Sequence, residues 1–225
     1  MNVIAVADDR IADVSAPASG LVNVVDDDEA VRDSMRWLLE ANGFEVCCFE
    51  SAEAFLAADT LREPVGCLVL DVRMPGLSGL ALQDEMLRRG STMPVIFVTG
   101  HGDVPMAVDT MKKGAADFLQ KPFSDERLCT LVRECLTRSA DSYRLALDAR
   151  ELDERMERLT ARERQVLERV VAGRLNKQIA DDLSISIKTV EAHRSNIMEK
   201  LAVRSMAELM RVAIRAGVGV AATDH

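Results

Sequence analysis

Histidine and cysteine are scarce in this sequence, with three and five respectively in 225 residues. The five cysteines, Cys47, Cys48, Cys67, Cys129 and Cys135, are odd in number, lie in apolar runs and form no CxxC pair. Neither a disulfide framework nor a zinc site is supported, and reduced, buried thiols are expected. His193 has no paired His or Cys nearby and is not read as a metal ligand. No apolar run reaches the ~18 residues that a membrane span needs, so a soluble chain with no membrane partner is expected. The first residues carry Asp8, Asp9 and Asp13 where a secretory signal requires a basic start and a long apolar stretch, which points to a cytoplasmic chain. Also missing are a P-loop, any other glycine-rich phosphate cradle and a general base, and with them the usual equipment of hydrolytic turnover.

What is present falls into two halves. The length suits two ordinary cores and is short for three. Residues 1–138 hold 13 Lys and Arg against 23 Asp and Glu, whereas 139–225 hold 15 against 14, so the net charge of −9 comes from the first half. Within the second half, residues 159–216 carry 11 basic and 7 acidic side chains, an excess that permits a nucleic-acid-binding unit. Residues 1–20, ending in Ser15-Ala-Pro-Ala-Ser-Gly20, read as a disordered leader.

From Leu21 to about Arg138, apolar runs of four to six residues alternate with amphipathic stretches of ten to fifteen. This is βα repetition and predicts a doubly wound parallel α/β sheet, with strands at 21–25, 44–49, 66–70, 94–98 and 116–119. Asp26, Asp27, Asp71, Thr99 and Lys121 each follow one of those runs. In open parallel sheets the carboxyl ends of the strands line the ligand crevice, so these residues converge on one acidic pocket beside a single ammonium. Carboxylates packed that closely repel unless a cation sits among them, and the chemistry they fit is magnesium-assisted phosphoryl transfer onto a carboxylate.

Residues 124–159 have almost no glycine or proline and many alternating charges, which predicts a helix that continues beyond the first domain, with 139–158 as a helical linker. Leu145, Leu152 and Leu159 recur every seven residues, equally compatible with a short dimer seam and with a solvated connector. The last third reads as four helices with no strand pattern. Thr160 to Glu163 has the form of a capping box, 176–183 and 187–201 are short helices about the turn 184–186, and 205–216 is a fourth. Two helices about a three-residue turn make a helix-turn-helix, whose second member can lie in the major groove.

The segments Val25-Asp26-Asp27, Leu70-Asp71-Val72-Arg73-Met74-Pro75-Gly76, Val98-Thr99-Gly100 and Lys121-Pro122-Phe123 resemble the receiver domain of two-component response regulators. Leu159 to Glu163, Asn176 to Ala180 and Lys188 to Arg194 resemble the LuxR-type helix-turn-helix. The pairing is similar to the FixJ/NarL family, and Thr99-Gly100-His101-Gly102-Asp103-Val104 to its FixJ branch. The resemblance implies a CheY-like receiver (residues 21–138, strand order 2-1-3-4-5), a DNA-binding domain (159–216) and a tail (217–225). It implies that Asp71 is the phosphoacceptor and that Mg²⁺ is held by Asp26, Asp27, Asp71 and the backbone carbonyl of Arg73. Lys121 and Thr99 would meet the phosphoryl group, and Phe118 would be the switch aromatic.

For DNA, the resemblance places Lys188, Thr189, Glu191, His193, Arg194 and Asn196 on or near the groove-facing side of the recognition helix. Asn176, Lys177 and Lys200 would lie nearer the phosphates, with Val190, Ile197 and Leu201 as the buried stripe. The implied partners are a sensor histidine kinase, promoter double-stranded DNA, a second copy on phosphorylation, and RNA polymerase. The chain would be a phosphoryl acceptor able to dephosphorylate itself, not a turnover enzyme. The rival reading is a regulator that works without phosphorylation, on DNA or by protein contacts. Ser184 stands where glycine is common in the family's turn, and Leu175 where Ser or Thr is common.

Overall fold

The computed structural model describes residues 20–58, 63–100 and 104–219. The expected leader, apart from Gly20, lies outside them, as do His101 to Asp103 and the end of the tail. The described residues form two compact units, 20–143 and 144–219.

The first unit carries five parallel strands, β1 (Leu21–Val25), β2 (Glu45–Phe49), β3 (Gly66–Asp71), β4 (Val95–Thr99) and β5 (Asp117–Gln120), in the order β2-β1-β3-β4-β5. The helices are α1 (Glu29–Ala41), α2 (Ala52–Ala57), α3 (Gly79–Arg88), α4 (Val104–Lys112) and α5 (Asp125–Glu157). Because both faces of the sheet are covered, the strands read as nearly unbroken apolar runs. Along each strand, alternate residues go to opposite faces. Val22, Val24, Val69, Ile96 and Val98 pack with Met35 and Leu39 of α1 and Leu128 and Val132 of α5, while Leu68, Leu70 and Phe97 pack with Phe55 of α2 and Leu82 and Met86 of α3. Fully burying a side chain of the size of Leu70 or Phe97 contributes about 1.5–3 kcal/mol.

Two details differ from the sequence reading. β3, β4 and β5 each run one residue further, taking in Asp71 and Thr99, because the parallel ladder pairs Asp71 with Val98 and Thr99 with Gln120. α2 has six residues, shorter than the amphipathic stretch expected, with Ser51 as its N-cap. Cys67, Cys129 and Cys135 are buried as expected, and burial pushes the Cys135 thiol up to about 11. Cys47 and Cys48 are only half-buried, since β2 is an edge strand.

The second unit holds α6 (Ala161–Val171), α7 (Asn176–Leu183), α8 (Ile187–Lys200) and α9 (Met206–Arg215) around Val166, Leu167, Ile179, Val190, Ile197, Leu201 and Leu209. The stripe expected in α8 is therefore its buried face. Met156 and Leu159 are buried in this same core and Leu152 packs on it, so the later members of the heptad stripe are used inside the unit. Leu145 is 64% exposed and all of residues 141–151 are exposed. Ser184 is left-handed, with φ 54°, and Leu175 offers no side-chain cap. Instead the Leu175 N–H donates to Gln178 Oε1 at 2.9 Å.

Candidate functional site

The carboxyl ends of β1, β3, β4 and β5 bring Asp26, Asp71, Thr99 and Lys121 to one edge of the sheet. Lys121 lies one residue past β5, its N–H donating to the Thr99 carbonyl at 2.8 Å, which carries β5 alongside β4 to the site. Its Nζ stands 2.9 Å from Asp26 Oδ2 and 3.4 Å from Asp71 Oδ1, so one ammonium is shared by two carboxylates. Asp26 is 3% exposed, and its other oxygen accepts the Asp28 N–H at 3.0 Å. Arg32 donates to the Asp26 carbonyl at 2.8 Å, fixing the turn into α1. Asp28 is the N-cap of α1, so only the first two acids of the Asp26-Asp27-Asp28 run are left for the pocket.

Asp71 Oδ2 accepts the Arg73 N–H at 2.6 Å. Burial holds the Asp71 carboxyl above the usual range; the Arg73 amide opposes this, the neighbouring Asp26 adds to it, and Lys121 opposes again without cancelling the sum. Gly79 lets α3 begin hard against β3, because a Cβ there would run into the Asp71 carbonyl oxygen. Thr99 is buried at the end of β4. Phe118 is half-buried, packed on the α2/α3-side core and lining a groove with Ala107, Val108 and Met111 of α4.

The sequence reading missed Glu53. Its Oε1 accepts the Leu77 N–H at 2.9 Å, tying α2 to the loop that follows Asp71. A lone glutamate in the first turn of a short helix carries no signal of that contact.

Asp27 is exposed beside Asp26, and among the described residues no three His, Cys, Asp or Glu side chains are gathered into a ready cage. Nevertheless the donor set fits a small hard cation. All donors are oxygens, two carboxylates share one ammonium, and Mg²⁺ retains several waters and needs only one or two protein carboxylates.

In the second unit, Lys177, Lys188, Thr189, Glu191 and Asn196 are exposed, and His193 is half-buried. Three other expected DNA contacts are engaged within the unit. Arg194 Nη1 donates to Asn176 Oδ1 at 2.6 Å and its Nη2 to the Met206 sulfur at 3.8 Å, linking α7, α8 and α9. Lys200, expected near phosphates, has its Nζ 2.7 Å from Glu163 Oε2. Glu163 is 3% exposed and closes the capping box with Thr160, accepting the Thr160 N–H at 2.8 Å. The box was legible in the sequence and the lysine that neutralises it was not, because 37 residues separate them.

Residues 22–133 match the receiver domain of response regulators, and residues 157–213 the luxR family of bacterial regulatory proteins. The transcriptional regulatory protein FixJ of Azorhizobium caulinodans is 51% identical over 205 residues, covering 91% of this chain and 97% of that protein. The response regulator protein TodT of Pseudomonas putida is 45% identical over 197 residues, covering 88% of this chain and 86% of that protein. Among solved structures, the response regulator StyR superimposes with a TM-score of 0.82 at 43% identity, over 88% of this chain and 100% of the other.

Proposed function

The chain belongs to the FixJ-type response regulators, two-component transcription factors that join a receiver to a LuxR-type DNA-binding domain, and on that premise we propose that Asp71 receives the phosphoryl group. An Asp71 carboxylate oxygen attacks the phosphorus of a phosphohistidine on the sensor kinase. The P–O bond forms as the P–N bond breaks, and the imidazole leaves with the electron pair and takes up a proton. The raised pKa of Asp71 makes its anion the stronger nucleophile, so long as it stays ionised.

The observation that carries this reading is Lys121 shared between Asp26 and Asp71. It leaves a cation facing the oxygens that must gain charge. Lys121 balances the phosphoryl charge, and the Thr99 hydroxyl donates to a phosphoryl oxygen. Mg²⁺ would be held by Asp26, Asp27, Asp71 and the Arg73 carbonyl, and when bound it supplies the remaining charge neutralisation. Water attack on the same phosphorus would return Asp71 to its free carboxylate, the self-dephosphorylation that the family resemblance implies.

Movement of Thr99 toward the phosphoryl group gives Phe118 room to pack inward and re-shapes the α4–β5 surface, a local charge event read out by a two-state packing element. That surface then pairs with a second copy. The paired DNA-binding units engage promoter DNA in the cytoplasm, with RNA polymerase as the downstream partner. Lys188, Thr189, Glu191, His193 and Asn196 contact bases or their backbone and Lys177 a phosphate, while Asn176, Arg194 and Lys200 set the geometry of the helices. Among the described residues no helix is long and apolar enough to cross a membrane.

Intact-mass measurement with Mg²⁺ and acetyl phosphate tests the reading. A single added phosphoryl group, absent from Asp71→Asn, is expected, together with tighter promoter binding by the modified wild type. An adduct that persists in Asp71→Asn, or that leaves promoter occupancy unchanged, overturns it in favour of a regulator that works without phosphorylation.

A further inference from the structure

We propose that Glu53 is a positioning residue of the phosphorylation site: its carboxylate holds the loop between β3 and α3, and so sets how well that loop presents the Arg73 carbonyl to Mg²⁺. This deepens the Asp71 reading and rests on it.

The loop is pinned near both ends by β3 and α3. The Arg73 N–H is taken by Asp71 Oδ2 at 2.6 Å, the Gly79 N–H donates to the Val72 carbonyl at 3.1 Å, and Val72 and Met74 are buried in the core at 2% and 8% exposure. Pro75 and Gly76 are exposed and the Leu77 side chain packs on the edge of that core, and there Glu53 reaches across from α2 to take the Leu77 N–H at 2.9 Å. The approach is close. Gly76 has φ +74°, and a Cβ on it would stand 2.7 Å from Glu53 Oε1. Glycine therefore serves the loop twice, by adopting a left-handed backbone and by leaving room for the carboxylate. Hydrogen bonds from its own backbone amide and from Leu77 hold the Glu53 carboxyl below the usual range, so it remains a charged acceptor across the neutral range. The Glu53 carboxylate is bonded to the Leu77 amide and to its own turn, so it acts through the loop.

The test uses the full-length protein and the variants Glu53→Ala, Glu53→Gln and Gly76→Ala. Mg²⁺ is titrated without phosphodonor and followed by the backbone amide resonances of Asp71 and Arg73. Exchange of the Leu77 amide and the thermal midpoint are recorded in parallel. Loss of an outer-shell partner lowers metal affinity about 10-fold or more, so Glu53→Ala is expected to raise the half-saturating Mg²⁺ concentration by roughly that factor. It should also speed Leu77 exchange, with little change in midpoint. Glu53→Gln keeps the acceptor oxygen and should restore most of both. Gly76→Ala should weaken Mg²⁺ binding at least as much as Glu53→Ala, because its methyl group displaces the carboxylate and also strains the left-handed backbone of the loop.

An unchanged Mg²⁺ titration in Glu53→Ala overturns the proposal, as does a Gln variant no better than Ala. If the wild type binds Mg²⁺ but never carries phosphate on residue 71, the phosphoacceptor reading falls. The loop tie would still be reported by the titration and the exchange rates.

Discussion

Lys121 and Lys200 each meet a buried carboxylate, and the two sites treat that charge in opposite ways. In the receiver one ammonium serves two acids, with Nζ 2.9 Å from Asp26 and 3.4 Å from Asp71, and the Asp71 carboxyl is held above its usual range by burial and by its acidic neighbour. In the DNA-binding unit a single acid receives an ammonium, a backbone amide and a hydroxyl, from Lys200 and Thr160. Burial pushes Glu163 up, but those donors outweigh it and hold it below the usual range. A buried charge whose partners suffice is structural. A buried charge left short of partners is poised to take on a cation or a phosphoryl group.

The comparison breaks most visibly at Glu163. Glu163→Ala removes the reciprocal half of the capping box and leaves Lys200 without its acid; because the lysine is 33% exposed and can reach water, the cost is below that of a fully buried pair. A loss of about 2–3 kcal/mol is expected in urea unfolding of the second unit. The pH dependence follows from the sign of the shift. With a folded pKa below the unfolded one, Glu163 contributes stability above the unfolded value, near 4.3 (~pH 4), and that contribution is lost as pH falls through the folded value. The stability lost on mutation should therefore shrink in acid. If Glu163→Ala costs as much in strong acid as at neutral pH, the ion pair is not what holds the unit.

Arg194 and Lys188 lie on the same helix and separate structure from recognition more finely. Lys188 is exposed, whereas Arg194 ties α8 to Asn176 and Met206. Arg194→Ala is expected to cost about 1–2 kcal/mol of stability and to weaken binding on all DNA sequences alike. Lys188→Ala should leave stability unchanged and, if it reads a base, cost about 1–3 kcal/mol of discrimination between cognate and mismatched sites. Parallel unfolding curves and salt-matched binding titrations check both. Base-selective loss from Arg194→Ala, with stability intact, would return Arg194 to the recognition surface.

Asp71→Asn sharpens the receiver side. A raised folded pKa means that the charged form opposes folding above that pKa, and that the cost disappears below the unfolded value near 3.9 (~pH 4). Removing the charge should therefore raise the thermal midpoint of the receiver at neutral pH by about 2–5 °C, and by less in acid. A fall in midpoint at pH 7 would show the pocket to be satisfied as it stands.

The sequence carried the fold because its signals were local. Apolar runs alternating with amphipathic stretches put the strands within a residue of where they lie, and the polar residues after those runs marked the pocket. What it withheld was pairing at a distance. Glu53 and Leu77, Glu163 and Lys200, and Asn176 and Arg194 are separated by 24, 37 and 18 residues, and in no pair does the local pattern around one residue point to the other. The heptad spacing was silent on environment in a related way. Leu145, Leu152 and Leu159 share a spacing but not an environment, the first exposed and the last buried against α6 to α9.

The smallest effect is expected in the backbone, where the two units also differ. Among the described residues, every positive φ in the receiver belongs to glycine, at Gly43, Gly76, Gly90 and Gly114, whereas the DNA-binding unit places Ser184 and Ala202 there as well. At Ser184 the left-handed turn ends α7, and the Ile185 N–H reaches back to the Ala180 carbonyl at 3.0 Å, a Schellman-type closure that lets the chain enter α8 at Ser186. A Cβ in that conformation costs roughly 1–2 kcal/mol, and glycine's greater freedom in the unfolded chain offsets about 0.4–1 kcal/mol of any relief. Ser184→Gly should therefore stabilise the unit by about 0.5–1 kcal/mol in urea unfolding and leave DNA affinity unchanged, because the turn already holds the angle that glycine would adopt. A loss of stability instead would mean that the stiffness of a side chain at residue 184, rather than the comfort of its backbone, keeps the two helices in register.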